Sequence, residues 1–144
     1  MIELLFFAYR DFIGDPDAIL DEFGFGRAHH RVLHFVSRNP GMTVAELLDI
    51  LKITKQSLGR VLKELVDAGY IEQRTGASDR RQRLLHTTPK GEELAQRLAE
   101  PQSRRIAAAL SALGPEGAEA ARRFLALLIN EDDRPSAARI VAKP

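Results

Sequence analysis

Apolar residues recur at helical spacing through most of this chain, and the pattern is sharpest between residues 54 and 69. Leu58, Val61, Leu62 and Leu65 stand at i, i+3, i+4 and i+7, which lines one face of a helix. Thr54 is placed to cap its start, and Ala68-Gly69 supplies the glycine that ends a helix in the left-handed conformation. The opposite face carries Lys55, Gln56, Gly59, Arg60 and Lys63, with no apolar side chain. After Gly69 the period shortens to two: residues 70–74 and 82–87 read as strands, with Thr75-Gly76-Ala77-Ser78-Asp79 turning the chain between them.

Upstream, residues 2–13 form an amphipathic helix that Gly14-Asp15-Pro16 should break, leaving a short turn over residues 17–23. RAHHRVLHFVSR, residues 27–38, makes the next helix with Val32, Leu33, Phe35 and Val36 inward, and Asn39-Pro40-Gly41 ends it. Thr43 and Glu46 are spaced as a capping box for a helix that turns Val44, Leu47 and Leu48 inward. Lys52-Ile53 then turns the chain into the cationic helix. Downstream, two helices are expected over about 89–112 and 115–129, separated at Gly114-Pro115. Pro101 should bend the first near residues 97–101. The second should bury Phe124, Leu125, Leu127, Leu128 and Ile129. Residues 131–144 are polar, lack a hydrophobic period and read as a flexible tail.

A chain of 144 residues with 44% hydrophobic content can form one globular domain with a real core. No apolar run approaches the length of a membrane span, and the N-terminal segment lacks the basic start and cleavage site of a signal peptide. Cysteine is absent, which removes disulfides and thiolate metal sites and favours a cytoplasmic setting. The net charge of +1 conceals a segregation by sign. Residues 1–51 hold four Lys/Arg against eight Asp/Glu, residues 52–90 hold nine against four, and the remainder is balanced at eight each. Positive charge is concentrated where a phosphate-binding face would need it.

These features predict a mainly α fold with a small β-hairpin wing (α+β), a winged helix-turn-helix. Thr54, Lys55, Gln56, Ser57 and Arg60 occupy the first two turns of the cationic helix, the part that reaches base edges in such motifs. Gln56 can pair bidentately with adenine and Arg60 with guanine, while Lys55 and Lys63 suit phosphates. Gly59 either lets the helix approach a groove closely or is an exposed glycine that the helix tolerates. On the hairpin, Arg74, Arg80, Arg81 and Arg83 add four guanidinium groups.

DAGYIEQR, the turn with Asp79-Arg80-Arg81, and His86-Thr87-Thr88-Pro89-Lys90-Gly91 resemble the multiple-antibiotic-resistance regulator (MarR) family of bacterial transcription factors. The resemblance spans roughly residues 3–130. It implies a single domain over residues 1–130, with a DNA-binding lobe at 27–91 and dimerisation helices at 2–13 and 92–130. It also implies a homodimer on a pseudo-palindromic double-stranded operator, most often acting as a repressor. Arg81 matches the family's minor-groove arginine, and Asp79 matches the acid that holds it. Related proteins often place glycine where Lys52 stands, so a strained or altered turn is expected there.

The family also binds small effectors between the dimer helices and the DNA-binding lobe, a region that the helix bearing His29, His30 and His34 borders. His30 and His34, at i and i+4, share a helix face, yet no cysteine or acidic cluster completes a metal site. A role in binding an effector, haem or metal is weighed against structural packing or hydrogen bonding for these histidines; the latter is favoured, and no metal or cofactor is expected. There is no Gly-rich phosphate loop and no nucleophile signature, so catalysis is not expected.

Overall fold

The computed structural model describes residues 1–143. Its elements are α1 (Ile2–Asp21), α2 (Arg27–Arg38), β1 (Met42–Thr43), α3 (Val44–Leu51), α4 (Lys55–Asp67), β2 (Ile71–Thr75), β3 (Arg83–Thr87), α5 (Pro89–Leu128), a 3-10 turn (Glu131–Asp133) and α6 (Arg134–Val141). The mainly helical fold with a small hairpin wing is as the sequence pattern predicts. One strand is added to it: β1 pairs antiparallel with β3, Met42 opposite Leu85 and Thr43 opposite Leu84, giving a three-stranded sheet in the order β1-β3-β2. Two residues are too short a run to carry a period in the sequence.

The core forms where the apolar faces of α2, α3, α4 and the start of α5 meet the sheet. Val32, Leu33, Val36, Leu47, Leu58, Leu65, Ile71, Leu85 and Leu98 are all almost completely buried. Each such side chain stabilises the fold by about 1.5–3 kcal/mol relative to exposure. The four apolar residues that define the face of α4 are all buried.

Sequence expectations are corrected in three segments. Helix α1 does not stop at residue 13; it continues through Gly14 and Pro16 to Asp21. Proline has no N–H for the carbonyl four residues back, and here Gln102 Nε2 on α5 donates to that carbonyl, Phe12 O, at 3.1 Å. Ion pairs Asp15–Arg105 (3.1 Å) and Glu22–Arg97 (3.2 Å) flank the same seam.

Helix α5 keeps helical φ/ψ through Pro101 and is interrupted at Gly114 (φ 73°, ψ 176°), where the sequence separates two helices. The segment after it does not bury its large side chains within the chain. Phe124, Leu125, Leu127 and Leu128 are 44–58% exposed, and Ile2, Leu4, Leu5, Phe6, Phe7 and Tyr9 in the first half of α1 are 50–70% exposed.

Third, residues 131–141 of the expected flexible tail are helical; Pro144 lies outside the described residues. The turn is set by Arg134, which donates to Ile129 O (3.0 Å) and Leu127 O (2.9 Å) at the open end of α5. Asp133 pairs with Lys52 at 3.2 Å. Lys52 is distant in sequence and the Arg134 bonds go to carbonyls outside the segment, so neither leaves a hydrophobic period within it.

Candidate nucleic-acid interface

Helix α4 begins and ends as its residues dictate. Thr54 Oγ1 accepts the Ser57 N–H at 3.1 Å, and the far end closes with Gly69 at φ 79°, where the Tyr70 N–H reaches Leu65 O (2.8 Å) and the Gly69 N–H reaches Val66 O (3.0 Å). The Thr43–Glu46 capping box on α3 is present in both directions. Between α3 and α4, Lys52 adopts φ 52°, ψ 37° and is the one non-glycine residue at positive φ among the described residues. The strain expected for a lysine there is real, and the turn keeps the shape glycine would give it. Its Nζ pairs with Asp49 and Asp133, both at 3.2 Å.

With its apolar face in the core, α4 presents Lys55, Gln56, Ser57, Gly59, Arg60 and Lys63 to solvent. Thr54 is also exposed, but its hydroxyl is engaged as the cap and with Ser57 Oγ at 2.8 Å. Among the described residues, Lys55 and Gln56 have no side-chain hydrogen bond or ion pair, so both can be given wholly to a ligand. Arg60 Nη1 donates to Glu64 Oε1 at 3.0 Å and Lys63 Nζ to Asp67 Oδ2 at 2.5 Å. Both are i,i+4 pairs along the outer face. Lys55, Gly59 and Lys63 share a shallow depression with Gln73 of β2, so the base of the hairpin borders the exposed face of the helix.

The hairpin runs in register from Ile71 opposite Thr87 to Thr75 opposite Arg83. Its loop is closed by Gly76 N–H to Gln82 O (3.2 Å) and Gln82 N–H to Asp79 O (3.1 Å). A Cβ on Gly76 would lie 2.7 Å from Asp79 O, so the loop needs a glycine there. Asp79 Oδ1 accepts the Arg81 backbone N–H at 2.9 Å and its Nε at 3.4 Å, while the Arg81 side chain stays 94% exposed. The four hairpin arginines therefore divide. Arg83 braces the loop by donating to Arg80 O at 2.9 Å, Arg74 pairs with Glu72, and Arg80 and Arg81 project at the tip.

Lys90 and Thr88 tie α5 to the end of α4, a role the sequence does not announce. Thr88 Oγ1 donates to Gly69 O (2.6 Å), its N–H donates to Tyr70 O (3.1 Å), and Lys90 Nζ donates to Ala68 O (2.9 Å) while lying 4.3 Å over the Tyr70 ring. Orphan carbonyls at the end of α4 are thereby satisfied by the helix that follows the hairpin.

The histidines separate in space. His29 is buried on the α4 side, whereas His30 and His34 line a cavity of about 460 Å³ with Tyr9, Phe12, Arg27 and Arg31. Burial holds His30 below the usual histidine range, helped by the neighbouring His34 and opposed by Asp17. Burial also lowers His34, with Arg38 adding to it. Among the described residues no three His, Asp or Glu side chains are grouped to hold a metal ion, and no helix is long and apolar enough to cross a membrane.

For histidines lowered in the folded state, the unfolded chain takes up protons first as pH falls below about 6.5. Stability is then lost progressively down to the folded values. The melting temperature is expected to drop on acidification from about pH 7, and the double variant His30→Gln/His34→Gln should flatten that part of the profile.

A Cβ added at Gly59 would meet no atom within 4 Å. Gly59→Ala should therefore raise stability by about 1 kcal/mol, the helix-propensity difference. If the helix backbone comes close to a groove there, the same variant weakens DNA binding. Thermal melts and gel shifts on one preparation read both effects.

A polar, cation-bearing helix standing out from a buried core, flanked by a hairpin tipped with arginines, defines a winged helix-turn-helix protein. The MarR family model matches residues 23–82. Over 129 residues the chain is 49% identical to the HTH-type transcriptional regulator PetP of Rhodobacter capsulatus, covering 90% of this chain and 78% of that protein. The chain belongs to the MarR family and is a transcriptional regulator. The fold is also that of a Listeria monocytogenes chain crystallised with 26mer DNA, at TM-score 0.77 and 20% identity over 94% of this chain and 89% of that one. It is shared too with NadR in complex with 4-hydroxyphenylacetate, at TM-score 0.73 and 24% identity over 86% and 88% of the two chains.

Proposed function

We propose that this regulator is a homodimeric repressor that reads a pseudo-palindromic operator in double-stranded DNA. The observation that carries the reading is the outer face of α4, where Lys55, Gln56, Ser57 and Arg60 are all exposed beside the hairpin. In this reading Gln56 and Arg60 contact base edges, Lys55, Lys63 and Arg74 neutralise phosphates, and Arg81 enters the minor groove at the tip, with Arg80 beside it. The DNA-bound Listeria neighbour supports this use of the fold. Dimerisation is supported by the apolar side chains left exposed on α1 and on the C-terminal half of α5, since large unpartnered patches mark association surfaces. Residues 27–91 then act as the DNA-binding lobe, and the flanking helices join the two copies. Repression is the mode that needs only occupancy of promoter DNA, and no catalytic step is assigned to the chain, which would act in the cytoplasm.

The cavity beside His30 and His34 is the effector site in this reading. Two arginines, two neutral imidazoles and the rings of Tyr9, Phe12 and Phe35 suit a small organic anion, and the 4-hydroxyphenylacetate complex of NadR supports that class. An effector acts only by binding the DNA-competent and DNA-incompetent shapes with different affinities. Selection of bound sites from a random duplex library tests the whole proposal. It should return an inverted repeat; recovery of unrelated sequences at modest ionic strength would contradict it.

A further inference from the structure

Arg60 is not held as Lys63 is. Lys63 leans on Asp67, which is exposed and makes no further hydrogen bond among the described residues. Arg60 leans on Glu64, whose second oxygen is itself fixed. Glu64 Oε1 accepts from Arg60 Nη1 at 3.0 Å, and Glu64 Oε2 lies 2.6 Å from His29 Nε2. His29 is 6% exposed and belongs to α2, not to the DNA-facing helix. Its ring is fixed twice over. Nδ1 accepts the Gly26 N–H at 3.0 Å, and the ring stacks on Phe25 at 4.7 Å with 15° between planes. With Nδ1 accepting, the imidazole proton sits on Nε2 and is donated to Glu64.

We propose that Glu64, anchored by His29, is a positioning residue that sets the guanidinium of Arg60 for base recognition, so that the pair determines specificity at the base Arg60 reads. The inference rests on the reading of Arg60 as a base-contacting residue. An exposed i,i+4 pair on its own is loose, because both side chains sample other rotamers. A carboxylate held on its far oxygen by a buried, stacked imidazole is not loose. It restricts where the guanidinium can go and leaves the remaining N–H donors in a fixed fork for the two acceptors of guanine. Glu64 is ionised at neutral pH as any exposed glutamate is, and the His29 hydrogen bond, ahead of Arg60, lowers its pKa further. The arrangement places an anion on a phosphate-facing helix, which weakens binding to all duplexes alike. Specificity is thereby gained at the expense of non-specific affinity.

The test compares base preferences, by selection from a random duplex library and by titration on the selected site, for the parent, Glu64→Gln, His29→Phe and Arg60→Ala. Glu64→Gln keeps the size of the side chain but not two equivalent acceptors. His29→Phe keeps an aromatic ring against Phe25 but donates nothing to Glu64. Glu64→Gln should lower the preference for the favoured base at one position of each half-site about ten-fold or more, while affinity for random duplex stays level or rises. His29→Phe should lower preference at the same position, and the double variant should lose no more than the stronger single one. A role confined to folding would shift melting temperature and leave the base profile alone. A parental profile in Glu64→Gln, alongside an altered one in Arg60→Ala, overturns the positioning role. A parental profile in Arg60→Ala shows instead that Arg60 reads no base, and the inference goes with that reading.

Discussion

Gly91→Ala is expected to destabilise the fold by about 3 kcal/mol or more, at the upper end of what overpacking costs. Gly91 is buried in the first turn of α5, and a Cβ there would overlap the Tyr70 carbonyl oxygen and crowd its carbonyl carbon. The obstacle is backbone, so no rotamer change relieves it. That backbone is pinned in turn by Thr88 and Lys90, which bond the carbonyls of Ala68, Gly69 and Tyr70. Either α5 moves away and those bonds are lost, or the end of α4 shifts. Chemical denaturation should show a lower midpoint with an unchanged slope. Stability equal to the parent would mean that α5 does not seat on Tyr70 as described. The contrast with Gly59→Ala, expected to stabilise, separates a glycine required by close packing from one in open space.

Arg81→Ala should weaken binding to unrelated duplexes about ten- to hundred-fold at low salt, the loss of a charge-assisted contact worth about 1.5–3 kcal/mol. The logarithmic salt dependence should flatten by about 0.9 if one phosphate contact goes with it. Folding stability should stay within about 0.5 kcal/mol, because the side chain is 94% exposed and, among the described residues, hydrogen-bonds only to Asp79. Base preference should change little, since an arginine in a minor groove senses width and potential more than sequence. Affinity and salt slope equal to the parent would remove Arg81 from the interface.

The winged-helix half of the molecule is legible in the sequence because its signals are local. The apolar face of α4, the Thr54 cap, the terminating Gly69 and the Thr43–Glu46 box each involve residues within a few positions of one another. Even the strain at Lys52 can be anticipated, since the turn demands a conformation and lysine happens to occupy it. The failures share a different cause. Pro16 reads as a breaker because the donor that relieves it, Gln102, lies far along the chain on α5. Residues 131–141 read as structureless because their helix is anchored by Arg134 on the end of α5 and by Lys52.

The candidate site shows the same division. Exposed cations on α4 and the hairpin can be named from their spacing. That Arg83 and Arg74 are partly engaged within the hairpin cannot. Adjacency groups His29 with His30 and His34, yet it turns to the opposite side of α2 and bonds Glu64 of α4. The period of the apolar residues 124–128 marks them as inward-facing, but periodicity alone cannot say whether the surface that covers them belongs to the same chain. Their exposure is what makes the assembly the central question.

That question is answered most directly by measuring the mass of the complex between the protein and its selected duplex, by sedimentation or native mass spectrometry across a titration. Two chains per duplex are predicted, on half-sites centred about 34 Å apart, one helical turn. A complex containing a single chain, or a protein that stays monomeric and binds no duplex in preference to another, would contradict the account.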